Sequence, residues 1–240
     1  YDAVDIQGAK TTADKIFGVL EIGDVKQIDK KDAQELNALH IKNLSKSYGD
    51  RQLFTHLNLD VQAGQKVLIK GPSGCGKSTL FRLITGEEIA DEGEIIGVTT
   101  VNECTSSFVS SIGIISQHPF LFNDTVRYNL TLGQEFSEEE LLAVLKQVKL
   151  DFELTGGMDF IIKNNGENIS GGQRVRIELA RFLLRRKNLL LADEVTATLD
   201  KENALMVHEL LFSLPVMMLE IAHHIDDESR YQQVVDLGKY

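Results

Sequence analysis

Gly71-Pro72-Ser73-Gly74-Cys75-Gly76-Lys77-Ser78-Thr79 joins a short apolar run to a helix-like one, and its reading decides the fold. The stretch fits G-x-x-x-x-G-K-[ST], in which backbone N–H groups and a lysine surround the phosphates of a nucleotide. Residues 67–69 before it read as a strand, and a helix is expected from Lys77 to about Ile84, ended by Gly86. The glycines let the backbone turn tightly and approach an anion, while the helix N-terminus adds partial positive charge. In that setting Lys77 contacts the β and γ phosphates, the Ser78 hydroxyl coordinates Mg2+, and the Thr79 hydroxyl reaches a phosphate. By itself the loop implies a nucleoside triphosphate and nothing narrower.

Two later segments bear on the same chemistry. Leu189-Leu190-Leu191-Ala192 is continuously apolar, as expected of a parallel strand buried on both faces, and Asp193-Glu194 ends it. Carboxylates at the tip of a central parallel strand sit where the ligand of an open α/β sheet lies. Asp193 there would hold Mg2+ through water, and Glu194 would polarise the attacking water. Ser170-Gly171-Gly172-Gln173 opens a helix running to Arg186, with Val175, Leu179, Phe182 and Leu183 on one face. Its free N–H groups and hydroxyl make a second anion site, or else a plain N-cap. One nucleotide scarcely needs two cradles. Arg185, Arg186 and Lys187 have the right sign for the end of that helix.

Around these segments the pattern alternates. Residues 39–44, 57–61, 94–96 and 112–116 read as strands, bounded by turn residues such as Tyr48-Gly49-Asp50 and Ala63-Gly64. Ser137-Glu138-Glu139-Glu140 is a capping box with acids in the first turn, ahead of the apolar run 141–148. A helix over 201–214 and a strand over 216–222 follow. Residues 6–20 place Ile6, Ala9, Ala13, Ile16, Phe17 and Leu20 on one helical face, and the charged stretch 26–35 reads as a linker. That first helix either docks on its own domain or is the tail of a helix from a preceding one. The chain starts at Tyr1 and reads as a piece of a longer protein.

Composition bounds the partners. The 240 residues, 42% hydrophobic and 25% charged, suit one large globular domain or two joined subdomains. No apolar run approaches the length of a membrane span. With 25 basic and 36 acidic side chains the net charge is −11, which argues against nucleic acid as a main partner. The two cysteines, Cys75 and Cys104, lack metal-ligand or paired spacing and read as free thiols of a reducing compartment.

The phosphate loop and Ser170-Gly171-Gly172-Gln173, followed by Arg174-Val175-Arg176-Ile177-Glu178-Leu179-Ala180-Arg181, together resemble the ATP-binding domain of ABC proteins. The likeness covers roughly residues 39–240. It implies an α/β fold: a P-loop NTPase core with a mainly parallel sheet, an antiparallel β portion near the N-terminus, and an inserted helical subdomain at about 120–183. It also resolves the second cradle. In that family two domains pair head to tail, and the Ser170–Gln173 motif closes over the γ-phosphate held by the partner's loop. Ile169 stands where the family form usually has leucine.

The resemblance extends residue by residue. Tyr48 is similar to the aromatic residue that stacks on adenine, and Gln117 to the glutamine that senses Mg2+ and the attacking water. His223, rather than His224, is similar to the histidine that contacts the γ-phosphate and orients the catalytic glutamate. Asp200 matches the aspartate of a loop that crosses the dimer interface. Val195 and Ala197 depart from the pattern, standing where proline or alanine and serine are common. They bear on communication between the two sites rather than on hydrolysis. Residues 118–130 and Asn165-Gly166-Glu167-Asn168 are closer to exporter domains, the latter fitting a loop that approaches the membrane domain.

These likenesses imply an Mg2+-dependent ATPase, the motor of a membrane exporter at the cytoplasmic face. Residues 1–37 would end a membrane-domain helix and its linker, and residues 38–240 would form the ATP-binding domain. The implied partners are a second ATP-binding domain and a fused or associated transmembrane domain. A soluble ABC ATPase acting on nucleic acid or ribosomes, or a domain that holds ATP without turnover, are the alternatives. The acidic charge weighs against the first, and Glu194 with His223 against the second.

Overall fold

The computed structural model describes residues 35–99, 103–105, 107–150, 156–222, 225 and 227–240. The helix expected over 6–20, and all but Glu35 of the linker, lie outside the described residues. Two sheets organise the rest. β1 (Leu36–Tyr48) and β2 (Arg51–Gln62) form a hairpin across Gly49 and Asp50. β4 (Glu92–Thr99) pairs antiparallel with β1, and β5 (Glu103–Cys104) with β4, giving the order β2-β1-β4-β5. The second sheet is parallel throughout, in the order β6-β7-β8-β3-β9. Its strands are β3 (Lys66–Lys70), β6 (Ile112–Ile115), β7 (Leu189–Asp193), β8 (Met217–Ile221) and β9 (Gln233–Asp236).

β1 runs well beyond the expected residues 39–44 because it passes through an irregularity instead of stopping there. The register with both neighbours shifts near Asn43, whose φ is +50°. Opposite it stands Gly93, at φ +86°, where a Cβ would lie 2.4 Å from the Lys42 and Asn43 carbonyl oxygens. Only glycine lets β4 come that close.

The expectation for β7 is met in detail. Leu189, Leu190, Leu191 and Ala192 have no solvent exposure, and their side chains divide by parity between two cores. Leu190 and Ala192 join Leu68, Ile115 and Met218 on the face packed by helices. Leu189 and Leu191 join Val67, Ile69, Leu219 and Ile221 on the face toward the antiparallel sheet. Alternate side chains of a strand point to opposite faces, so a strand buried on both must be apolar at every position.

Among the described residues the α-helices are α1 (Lys77–Ile84), α2 (Val126–Thr131), α3 (Glu138–Gln147), α4 (Gly171–Leu184) and α5 (Lys201–Ser213). The buried face of α4 is wider than the stripe expected from Val175, Leu179, Phe182 and Leu183. Arg176, Ile177 and Ala180 are buried too, whereas Leu183 is only partly covered. The added width reflects α4 packing against α2, α3, α5 and β6 at once.

Basic side chains on α4 satisfy carbonyls that no helix or strand serves. Arg181 donates to the Phe120 carbonyl at 2.7 Å and to Asn129 Oδ1 at 2.8 Å. Arg185 reaches the Leu130 and Thr131 carbonyls at 3.2 and 3.1 Å, closing the C-terminus of α2. Asn129, with no solvent exposure, in turn donates to the Phe122 and Thr125 carbonyls. Burial pushes Arg181 down to about 10, and it lowers Arg185 as well.

Candidate functional site

The phosphate loop leaves β3 and enters α1 through Gly76, which caps the helix in the left-handed region at φ +102° and without a side-chain bond. A Cβ on Gly76 would meet Phe54 and Leu53 at 3.0–3.1 Å, so the turn is fixed against the β2 wall. No acidic residue occupies the first turn of α1. Its first N–H groups and the positive helix end therefore remain for an anion. Lys77 is buried and its ammonium donates to the Gly71 and Pro72 carbonyls at 2.9 and 3.1 Å. Thr79 is buried, while Ser78, Pro72, Ser73 and Gly74 are exposed. Cys75 is a free, partly exposed thiol packed under Gly71.

Strand register brings the other residues to the same edge. Asp193 pairs with Ile221, and Ile221 with Ile69, so the ends of β7, β8 and β3 lie in one row. Two inter-strand spacings put Asp193 about 10 Å from β3, just where the loop begins. Ile115 pairs with Ala192, which sets Gln117 beyond the end of β6 in line with Glu194. This is the carboxyl edge of a parallel sheet, where such folds hold ligands. His223 belongs just past β8 but lies outside the described residues.

Glu194 has φ +51°, a left-handed backbone that favours glycine, and its N–H donates to the Ile221 carbonyl at 2.9 Å. A non-glycine residue in that region is strained and persists because its surroundings hold it. The turn breaks the extended course of β7 right after Asp193.

Gly171 and Gly172 press against the start of α5. A Cβ on Gly171 would lie 2.7 Å from Leu199, and one on Gly172 would lie 2.5 Å from Asn203 Oδ1. Ser170 Oγ accepts from the Gln173 N–H at 3.1 Å and Gln173 Oε1 from the Ser170 N–H at 2.9 Å, a complete capping box. The plain cap and the anion site are thus compatible: the hydroxyl accepts from the helix and keeps a proton to donate outward. Asp200, one seam away, caps α5 by accepting from the Asn203 N–H at 3.0 Å, and that bond holds its carboxyl below the usual range.

Sequence reasoning did not find Glu178. Its carboxylate accepts from the Ser116 N–H at 3.3 Å and so fastens α4 to the residue before Gln117. Burial pushes it up to about 7, partly opposed by the nearby Arg181. It also missed a trio at the edge of the core: Tyr231 donates to buried Glu220 Oε2 at 2.6 Å, and the partly buried His208 Nε2 lies 3.0 Å from the tyrosine hydroxyl. That trio ties α5 to β8. In sequence neither group had any signal beyond a polar residue in an apolar run.

The family model described as ABC transporter matches residues 54–197, more than half of the chain. The chain belongs to the ABC transporter family. It is 36% identical over 242 residues to the ATP-dependent lipid A-core flippase of Francisella tularensis subsp. holarctica, covering 97% of this chain and 40% of that protein. The Bacillus subtilis ABC transporter ATP-binding protein YwjA is 32% identical over 237 residues, covering 88% of this chain and 41% of that one. Among solved structures, a bacterial Atm1-family ABC exporter with ATP bound superposes with a TM-score of 0.72 at 29% identity, covering 97% and 43% of the two chains. The chain thus spans about two fifths of the length of the relatives it matches. The α/β architecture with its parallel and antiparallel sheets is that of an ABC ATP-binding domain.

Proposed function

We propose that the chain is the ATP-hydrolysing motor domain of an ABC exporter. The observation that carries this reading is the sheet edge: a phosphate loop opening a helix with no side-chain cap and no acid in its first turn, in register with Asp193-Glu194. Lys77 anchors the β and γ phosphates, leaving its present carbonyl partners when an anion arrives. The oxygen donors Ser78 and Asp193 suit Mg2+, which takes one or two carboxylates, phosphate oxygens and water. When bound, that ion neutralises charge on the β and γ phosphates. Glu194 accepts a proton from the attacking water, Gln117 orients that water, and His223 holds Glu194 and the γ-phosphate. Tyr48 stacks on adenine.

Ser170-Gly171-Gly172-Gln173 and Asp200 complete the site of a second copy or a paralogous domain, paired head to tail. Residues 1–37 end a helix of a membrane domain and its linker, and residues 38–240 form the motor at the cytoplasmic face. Among the described residues no helix is long and apolar enough to cross a membrane. The flippase and exporter names of the relatives support this reading over a soluble ATPase acting on nucleic acid.

The test is paired. Glu194→Gln should bind ATP and lose about 10²–10⁴ in turnover, the range of general-base catalysis. Sedimentation should show that variant dimerising on addition of Mg2+ and ATP, and Ser170→Arg should remove the dimer while leaving ATP binding intact. Wild-type turnover in Glu194→Gln, or a variant that stays monomeric at saturating ATP, would overturn the reading.

A further inference from the structure

Tyr48 ends β1, and its ring is held at more than its backbone. The hydroxyl donates to Glu88 Oε2 at 3.0 Å, and Arg82 donates to the same hydroxyl at 3.4 Å. Lys46 Nζ stands over the ring, 5.2 Å from its centroid. One face therefore carries a cation, and with Tyr48 44% exposed the opposite face is left for a flat ligand.

Glu88 joins these contacts into one cluster. Its Oε1 lies 3.1 Å from Lys46 Nζ, which also donates to the Ile89 carbonyl at 2.7 Å and sits 3.5 Å from Asp91. Asp91 Oδ2 accepts from both the N–H and the hydroxyl of Ser47, each at 2.7 Å. Three consecutive residues of β1, Lys46, Ser47 and Tyr48, are thus gripped by the segment that follows α1. Arg82, on α1 itself, bridges from the Tyr48 hydroxyl to Thr79 Oγ1 at 3.3 Å. The hydrogen bonds from Lys46 and then Tyr48 hold the Glu88 carboxyl below its usual range, so it is an anion at neutral pH. The bond to Glu88 raises Lys46 in turn.

We propose that Glu88 is a positioning residue for the nucleobase: with Lys46 and Arg82 it fixes the Tyr48 ring so that the base stacks on the face away from Lys46, and it ties that platform to the helix carrying the phosphate loop. The proposal rests on the nucleotide reading of this loop and deepens it. A ring already fixed loses little rotamer freedom when the base arrives, whereas a free one loses it on binding. Removing the tether should therefore weaken ATP about threefold to tenfold, the range of one immobilised side chain.

Calorimetry on the full 240-residue chain separates the possibilities, with Mg-ATP and Mg-tripolyphosphate as probes. Glu88→Ala and Tyr48→Phe should each raise the Kd for ATP by that factor, and together by no more than either alone. Glu88→Gln, which keeps an acceptor for the hydroxyl, should stay close to wild type. None of the three should move the Kd for tripolyphosphate, which has no base. If Glu88→Ala leaves ATP affinity unchanged while Tyr48→Ala weakens it, stacking survives and the positioning role fails. Equal weakening of tripolyphosphate would mean damage to the loop and would also overturn the proposal. If Lys77→Ala has no effect on either probe, the nucleotide reading itself falls, and the proposal with it.

Discussion

Helices α3 and α4 begin with the same device and differ in what surrounds it. Ser137 and Glu140 at one, Ser170 and Gln173 at the other, exchange the same two hydrogen bonds. The first turn of α3 then carries Glu138, Glu139 and Glu140, which answer the positive helix end with the chain's own charge. The first turn of α4 has no acid, and its two leading glycines bring the backbone against Leu199 and Asn203. A capping box alone therefore does not mark an anion site. The charge of the turn behind it does, because carboxylates within one turn of the helix end compete for the same field.

The contrast continues along both helices. Charges on α3 are paired at the surface, as in Arg127 with Glu138 at 2.7 Å and Arg186 with Glu140 at 3.3 Å. Glu178 and Arg181 on α4, and Arg185 at its end, are largely enclosed, and each serves a backbone group of another segment. Arg181→Ala would take a donor from the Phe120 carbonyl and from Asn129 Oδ1, which would keep only the Phe122 N–H. It should cost roughly 3 kcal/mol by chemical denaturation, the scale of a broken buried charged network. A loss no larger than that of the exposed Arg127→Ala would break the contrast.

Glu178 gives the next effect, through pH. Its carboxyl is raised to about 7 from 4.5, so the folded state favours the neutral form. Its contribution is fully present below the unfolded pKa and is lost as pH rises through about 7. Glu178→Gln should therefore gain on wild type between pH 4.5 and pH 8, by up to roughly 3 kcal/mol at 1.36 kcal/mol per pKa unit. Denaturation midpoints at the two pH values check it, and a constant gap would remove the burial argument.

The smallest change addresses the two boxes directly. Gln173→Glu keeps the capping bonds but gives α4 the charge of α3, close to where the γ-phosphate of a partner would lie. ATP turnover should fall about tenfold, since like charges a few ångströms apart near a surface oppose each other by a kilocalorie or more. The converse, Glu140→Gln, should leave turnover unchanged and alter stability least of all. Equal turnover in Gln173→Glu and wild type would mean that the α4 end meets no anion.

What was legible in the sequence was what short-range chemistry writes. The phosphate loop, the apolar β7 with its terminal acids, and both helix starts each need neighbours only a few residues away. The helix Val126–Thr131 is too short to show a periodicity among residues 118–130, although Thr125 caps it by accepting from the Tyr128 N–H at 3.0 Å. The Glu88 cluster and the Arg181 staple were not legible, because their partners come from β1 and α2, far off in sequence and close only once the chain is folded. β1 reads as a shorter strand in sequence because a strand that crosses an irregularity loses its alternation there.

The placement of β3 has a consequence for how the chain is made. The strand that launches the phosphate loop is flanked by β8 and β9, and Lys70 pairs with Asp236. Residues 66–70 leave the ribosome long before either neighbour exists. At typical synthesis rates of about 5–20 residues per second, roughly ten to thirty seconds pass before that strand can be paired. Through that interval Val67, Leu68 and Ile69, among the least exposed residues of the finished protein, lack both strands that flank them once folded. The antiparallel hairpin of β1 and β2 can close at once. In the nascent chain the wall of the nucleotide site is therefore built well before its floor.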